Sequence, residues 1–233
     1  MEALDAICAT YIGGELLNHL QDQFTGRLGQ NAGWQLSIDQ TDKYGHTLLF
    51  RYPTSAEDIA HSYVRGHVKL ELGWRSVTEP AELRTLKPYI ADQFPSAIQD
   101  ADVICSVLLP TRTFWEKVTA IHAESFKDGV PQFFSRHYSD VAAMLQSEIG
   151  NAAARDVAML EDVRQYKERY YASARAHYDL AIPGSLAIVP DDDKVRALAA
   201  DYREMRMMFF RDPPTFGEVM GRLRELQEQL NGK

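Results

Sequence analysis

Residues 110–145 read PTRTFWEKVTAIHAESFKDGVPQFFSRHYSDVAAML, and the architecture turns on this stretch. Thr113 followed three residues later by Glu116 has the form of a capping box, which predicts a helix starting there and carrying Trp115, Lys117, Val118, Ile121 and His122. A second helix is expected near Ser135, with Arg136 and Asp140 four apart and His137 three before Asp140 on overlapping faces. One basic residue of the first helix can then meet a basic–acidic pair of the second. On spacing alone, Arg136 and Asp140 read more readily as a solvated helix pair, worth about a few tenths of a kcal/mol.

Downstream of this stretch the periodicity is helical almost throughout. A long pattern runs from about Ala152 to Tyr178 through Val157, Leu160, Val163, Tyr166 and Tyr170, and 182–190 reads as an irregular or extended connector. Asp191 to Asp193 supply the N-cap and first-turn acids of a helix expected to reach about Phe210, so the triplet reads as a helix start rather than a metal site. Pro213-Pro214 stops that helix, and Phe216 to Leu230 forms a last amphipathic one. Met205, Met207, Met208, Phe209 and Phe210 read as core or helix–helix packing.

Upstream, Leu4, Ile7, Cys8, Tyr11, Ile12, Leu16, Leu17, Leu20 and Phe24 recur at helical spacing, a broken amphipathic helix with Gly13 and Gly14 at the break. Trp34, Leu36 and Ile38 alternate with polar residues, 46–52 is a second strand-like run, and the DQTDKYG between them predicts a hairpin. A third strand is expected over 63–72, with Val68, Leu70 and Leu72 on one face and Lys69 and Glu71 on the other. Glu79-Pro80 and Lys87-Pro88 break up a loop-rich segment with a short helix, and 103–109 is an apolar fourth strand. The class predicted is α+β, divided into a strand-bearing 1–109 and a helical 110–233.

Composition narrows the function classes. With 233 residues, 45% hydrophobic, 25% charged and a mean hydropathy of -0.33, the chain has room for one large domain or two small ones. No apolar run approaches the roughly 18–20 residues that span a bilayer, and no basic segment precedes an apolar one at Met1, so a cytoplasmic protein without a membrane partner is expected. Cys8 and Cys105 are isolated, which supports neither a disulfide framework nor a zinc site; both read as small apolar residues. A net charge of -8 argues against nonspecific coating of nucleic acid, so any phosphate contact should be focal.

Several segments in order, TRTFWEK with its following IH, SRHYSD, the earlier YVRGHVKLELGWRS and the later IPGSLAIVP and DYREMRMMFF, resemble the AbiEii/AbiGii family of nucleotidyltransferase-like toxins of abortive-infection and toxin–antitoxin systems. The similarity extends from about Tyr52 onward. It implies a partial nucleotidyltransferase-type mixed sheet followed by a helical half. It also implies transfer of a nucleoside monophosphate from a triphosphate to an acceptor such as tRNA, with Mg²⁺ as cofactor and a separately encoded antitoxin as partner. Carried over position by position, Lys117 and Asp140 would be catalytic, Lys117 on the triphosphate and Asp140 orienting or deprotonating the acceptor hydroxyl. Glu71 would be a metal ligand, and Lys69, Arg112, Arg136 and His137 would contact substrate, Arg112 being either a phosphate contact or a cap.

The pattern is also departed from. The Gly13–Gly14 pair runs into GELLNHLQDQF with neither the family's lysine nor a D-x-D behind it. Asp39 and Asp42, three apart at a turn, would point to opposite faces of a strand. The expectation is a chain incomplete or inactive alone, its amino-terminal motif supplied by another chain or a homo-oligomer, with an exposed apolar face where strands would pack. The alternative is a noncatalytic relative that binds RNA or protein through its basic residues and helical half.

Overall fold

A computed structural model describes residues 1–54, 66–75, 77–98 and 101–232, and the chain forms two compact units, Met1–Val77 and Thr78–Lys233. The class is α+β.

In the first unit, α1 (Glu2–Tyr11) continues through a π-helical turn, Ile12–Leu16, into α2 (Leu17–Leu28). The glycine pair therefore widens the helix by a turn instead of breaking it. A Cβ on Gly13 would stand 3.0 Å from Ile38 Cδ1, so close approach of helix to sheet is what calls for glycine there. Strands β1 (Gln35–Ile38), β2 (Thr47–Arg51) and β3 (His67–Glu71) form an antiparallel sheet in that order. The register sets Leu36 opposite Phe50 and Leu48 opposite both Ile38 and Leu70, which gives the sheet one apolar face. Buried Ile12, Leu36 and Leu48 centre the core, with Cys8, Leu16, Leu17, Leu20, Phe24 and Leu72 packed around them. Each fully buried aliphatic side chain contributes about 1.5–3 kcal/mol. The part of the expected third strand before Gly66 lies outside the described residues, and Val68 is exposed although Leu70 and Leu72 share its face.

In the second unit, β4 (Ala81–Leu86) and β5 (Val103–Leu108) pair antiparallel, with the short α3 (Tyr89–Gln93) between them in sequence. Among the described residues the strands thus fall into two antiparallel sheets, where the resemblance implied one mixed sheet. Leu83 and Ile104 on this hairpin are exposed. Helix α4 (Pro110–Ser125) begins at the proline, whose fixed φ and missing N–H suit the first helical position. That corrects the Thr113 start: Leu109 is the N-cap, without a side-chain cap, and Thr113 lies within the helix. The T-x-x-E box that does form is Thr215 with Glu218, at the head of α9 (Phe216–Asn231).

Helix α5 (Ser135–Met144) starts where the sequence indicates. The single long pattern expected over 152–178 is instead the end of α6 (Glu148–Arg155) followed by α7 (Val157–Tyr170). The divide is Asp156, whose carboxylate accepts the Met159 N–H at 3.0 Å and caps α7. Helix α8 (Asp192–Glu204) is capped by Asp191, which accepts the Lys194 N–H at 2.9 Å, and passes into a 3₁₀ turn, Met205–Met208. Of the apolar residues expected to pack there, Met205 is buried, whereas Met207, Met208 and Phe210 are exposed.

Helix α4 forms the centre of this unit. Phe114, Trp115, Val118 and Ile121 have no exposed surface, and Tyr138, Val141, Leu160, Val163 and Leu223 complete the core with them. His122 is buried with both ring nitrogens satisfied, Nε2 against the His177 carbonyl at 2.9 Å and Nδ1 accepting the Ala187 N–H at 3.0 Å. The connector 182–190 is irregular but fixed: Gln227 Oε1 accepts the N–H groups of Ile188 at 2.6 Å and Val189 at 2.9 Å. No helix among the described residues is long and apolar enough to cross a membrane.

Candidate functional site

Helices α4 and α5 bury one face each, and between them they hold a pair of opposite charges. Lys117 Nζ donates to Asp140 Oδ2 at 2.7 Å, with 24% of the lysine and 46% of the aspartate side chain exposed. The pair is therefore open to a ligand from solvent. The position of Asp140 depends on how α5 begins, and its N-cap, Phe134, offers no side-chain cap. Asp201 of α8 does that work from outside. Its carboxylate accepts the Phe133 N–H at 2.7 Å, the Ser135 N–H at 2.9 Å and the Ser135 hydroxyl at 2.5 Å.

Around the pair lie further cations. Arg112 is buried; its Nε donates to Glu116 Oε1 at 3.2 Å and its guanidinium stands 5.6 Å from the centre of the Tyr166 ring. It does not cap α4. Lys167 of α7 is half-buried, with its Nζ 5.1 Å from the Tyr171 ring centre. Burial pushes its pKa down, Glu116 opposes that, and Arg112 adds to it. Arg136 is exposed, and Asp140 pairs with Lys117 across the helices rather than with Arg136 along its own. Of the groups acting on one another here, four cations (Arg112, Lys117, Arg136, Lys167) face two carboxylates (Glu116, Asp140), a local positive excess in a chain of net charge -8.

His137 sits within this charge. Its ring centre is 4.7 Å from that of Phe134, and its Nδ1 is buried without a hydrogen-bond partner among the described residues. Burial first, then the charges of Lys117 and Arg136, push its pKa down to about 4. At neutral pH it therefore offers a hydrogen bond and not a positive charge. The sequence did not assign Lys167, Glu116 or Tyr166 to this site; Glu116 read as the capping-box partner of Thr113 and Tyr166 as part of a helical repeat. The spacing of Arg112 and Glu116 at i,i+4 is a readable signal, but nothing local to Lys167 tells which face of α7 turns toward α4.

Glu71 and Lys69 belong to the first unit, Glu71 at the end of β3 and Lys69 at its middle. Lys69 Nζ donates to Glu71 Oε1 at 2.8 Å, and the glutamate side chain is 72% exposed. The expected Mg²⁺ can be tested on the donors. Among the described residues no three His, Cys, Asp or Glu side chains gather where one ion could be held. Asp39 Oδ1 is taken by the Thr41 N–H and hydroxyl, and Asp42 by the N–H groups of Tyr44 and His46 and the Thr47 hydroxyl. Literal D-x-D spacings occur at Asp100–Asp102 and Asp191–Asp193, away from the glycine pair. Asp100 is outside the described residues, Asp191 caps α8 and Asp193 pairs with Arg196. Glu71 stands as a single, lysine-paired carboxylate, so the described residues do not fit a resident Mg²⁺.

No curated protein and no solved structure matches the chain. A family model does, over residues 1–228: nucleotidyl transferase AbiEii toxin, type IV toxin–antitoxin system. The chain belongs to this family of nucleotidyltransferase-like toxins, for which a separate antitoxin is the implied partner.

Proposed function

We propose that this toxin transfers a nucleoside monophosphate from a nucleoside triphosphate to an acceptor hydroxyl, with the 3′ end of a tRNA as the acceptor, and that the cleft between α4 and α5 handles the phosphates. The observation that carries the reading is the Lys117–Asp140 pair at 2.7 Å, half open to water and set in a surplus of cations. In such a transfer the acceptor oxygen attacks the α-phosphorus in line, a new P–O bond forms, the bond to the β-phosphate breaks and pyrophosphate leaves with the negative charge. Positioning and charge neutralisation dominate that step.

Lys117 suits the phosphate. An incoming triphosphate takes its ammonium from Asp140, and the freed carboxylate then accepts the acceptor hydroxyl's proton or orients it. Arg136, exposed beside the pair, reaches the same phosphates, and neutral His137 donates or accepts a hydrogen bond. Arg112 is held by Glu116 and acts on the site through its field. Lys69 remains a candidate phosphate contact and Glu71 a candidate metal ligand. Family membership implies a divalent metal, but the donor set above does not fit one, and no step is assigned to it.

That same donor set favours a second reading, a noncatalytic relative that retains the basic cleft for binding RNA or a protein. The two separate in one assay with α-labelled triphosphate, tRNA and Mg²⁺. Label that enters the RNA with the unaltered chain and disappears with Lys117→Ala and with Asp140→Ala supports transfer. RNA retained on the chain without label supports the second reading.

A further inference from the structure

A second binding place is formed by α8, the 3₁₀ turn after it and the start of α9. A groove of about 680 Å³ opens there, and its walls include Tyr202, Pro213 and Phe216 while its rim carries Arg196, Arg203 and Arg206. None of these residues belongs to the Lys117–Asp140 cleft. The walls are apolar and partly aromatic: the Tyr202 and Phe216 ring centres are 5.3 Å apart, and the Tyr202 hydroxyl is turned to the Pro214 carbonyl at 3.0 Å, which leaves the ring as the wall. The two rings pack on each other, and a flat ring can stack on the half-buried Phe216 at the groove side.

The rim points to the charge of the occupant. Arg203 has no ion pair among the described residues. Arg206 is paired with Asp212 and Arg196 with Asp193, but all four side chains are more than half exposed. Pairs that open to water contribute little, so their guanidiniums are available to an anion that binds them bidentately. Arg196 and Arg203 stand two turns apart on α8, about 1.5 Å of rise per residue, and Arg206 follows in the 3₁₀ turn.

We propose that this groove binds a nucleoside phosphate, with the base against Phe216 and Tyr202 and the phosphate on Arg203 and Arg206. This is a site separate from the one that handles the transferred nucleotide. It is independent of whether transfer occurs.

Calorimetric titration of the full chain tests this with three probes: adenosine 5′-monophosphate, adenosine, and inorganic phosphate. The monophosphate binds at least about tenfold more tightly than either half alone, as expected when ring and charge both contribute. The double variant Arg203→Ala/Arg206→Ala weakens the monophosphate at least about tenfold. Phe216→Leu, which keeps an apolar side chain in place while removing the ring, also weakens it. The proposal is overturned if inorganic phosphate binds as well as the monophosphate, if the arginine double variant binds it unchanged, or if Phe216→Leu binds it unchanged.

Discussion

Lys117 and Asp140 are 23 residues apart in sequence and 2.7 Å apart in space, each projecting from a helix whose other face is packed into the core. Helix α4 holds Lys117 through four side chains with no exposed surface, and α5 holds Asp140 through Tyr138 and Val141. The ion pair is therefore a consequence of the packing and is not what holds the helices together. A ligand can take one partner without unfolding anything.

Stability measurements should show this directly. Lys117→Ala and Asp140→Asn should each cost less than about 1 kcal/mol in urea unfolding, because the two ends of the pair are about one quarter and one half exposed. A loss of several kcal/mol in either variant would make the pair a structural strut.

Half-buried Asp201 should matter to the start of α5 although it lies 66 residues further along the chain than Ser135. Asp201→Ala leaves the Phe133 and Ser135 N–H groups and the Ser135 hydroxyl without their acceptor, at a cost of about 1–3 kcal/mol. Amide hydrogen exchange in the first turn of α5 should rise with it, since that turn has no other side-chain cap. Unchanged exchange at Ser135 would contradict the assignment.

The pH dependence follows from His137. Its pKa in the folded chain, about 4, lies below the ordinary 6.5, so the folded state favours the neutral ring and the unfolded state takes up the proton first. The stability this contributes is fully present above pH 6.5 and is lost as pH falls from 6.5 toward 4. Replacing the ring with His137→Gln should flatten that part of the stability–pH curve. The slope would persist in the variant if other groups were responsible.

Two threonines carry the same T-x-x-E pattern and should behave oppositely. Thr215→Ala removes the acceptor for the Glu218 N–H and should cost about 1 kcal/mol, whereas Thr113→Ala, inside α4, should be neutral within about 0.5 kcal/mol. Thermal melts of the two variants suffice.

Those threonines also show how far the sequence could be read. The pattern at Thr113 misleads because Pro110, three residues earlier, already satisfies the requirements of a helix start, and a box signals a start only where the chain before it is not helical. Ser135 could be read because the VPQFF before it is no helix former. Periodicity ran through Asp156 because an aspartate within an apolar repeat looks like a surface position until its carboxylate is seen on the Met159 N–H. Met207, Met208 and Phe210 were expected inside because sequence carries residue type and not which side of a 3₁₀ turn faces out. The charges of the candidate site were legible one by one. What pairs Asp140 with Lys117 and not with Arg136 is the packing of α4 on α5, a tertiary fact without a local signal.

The most direct test of the central claim, that this pair is a phosphate-binding cleft, is the affinity of the chain for inorganic triphosphate, which has no ring for the α8–α9 groove. Lys117→Ala should weaken binding about tenfold or more through loss of the cation, and Asp140→Asn should strengthen it by releasing the ammonium that a phosphate must otherwise take from the carboxylate. Opposite shifts are the predicted result. Equal affinity in both variants, or weakening in both, would contradict it.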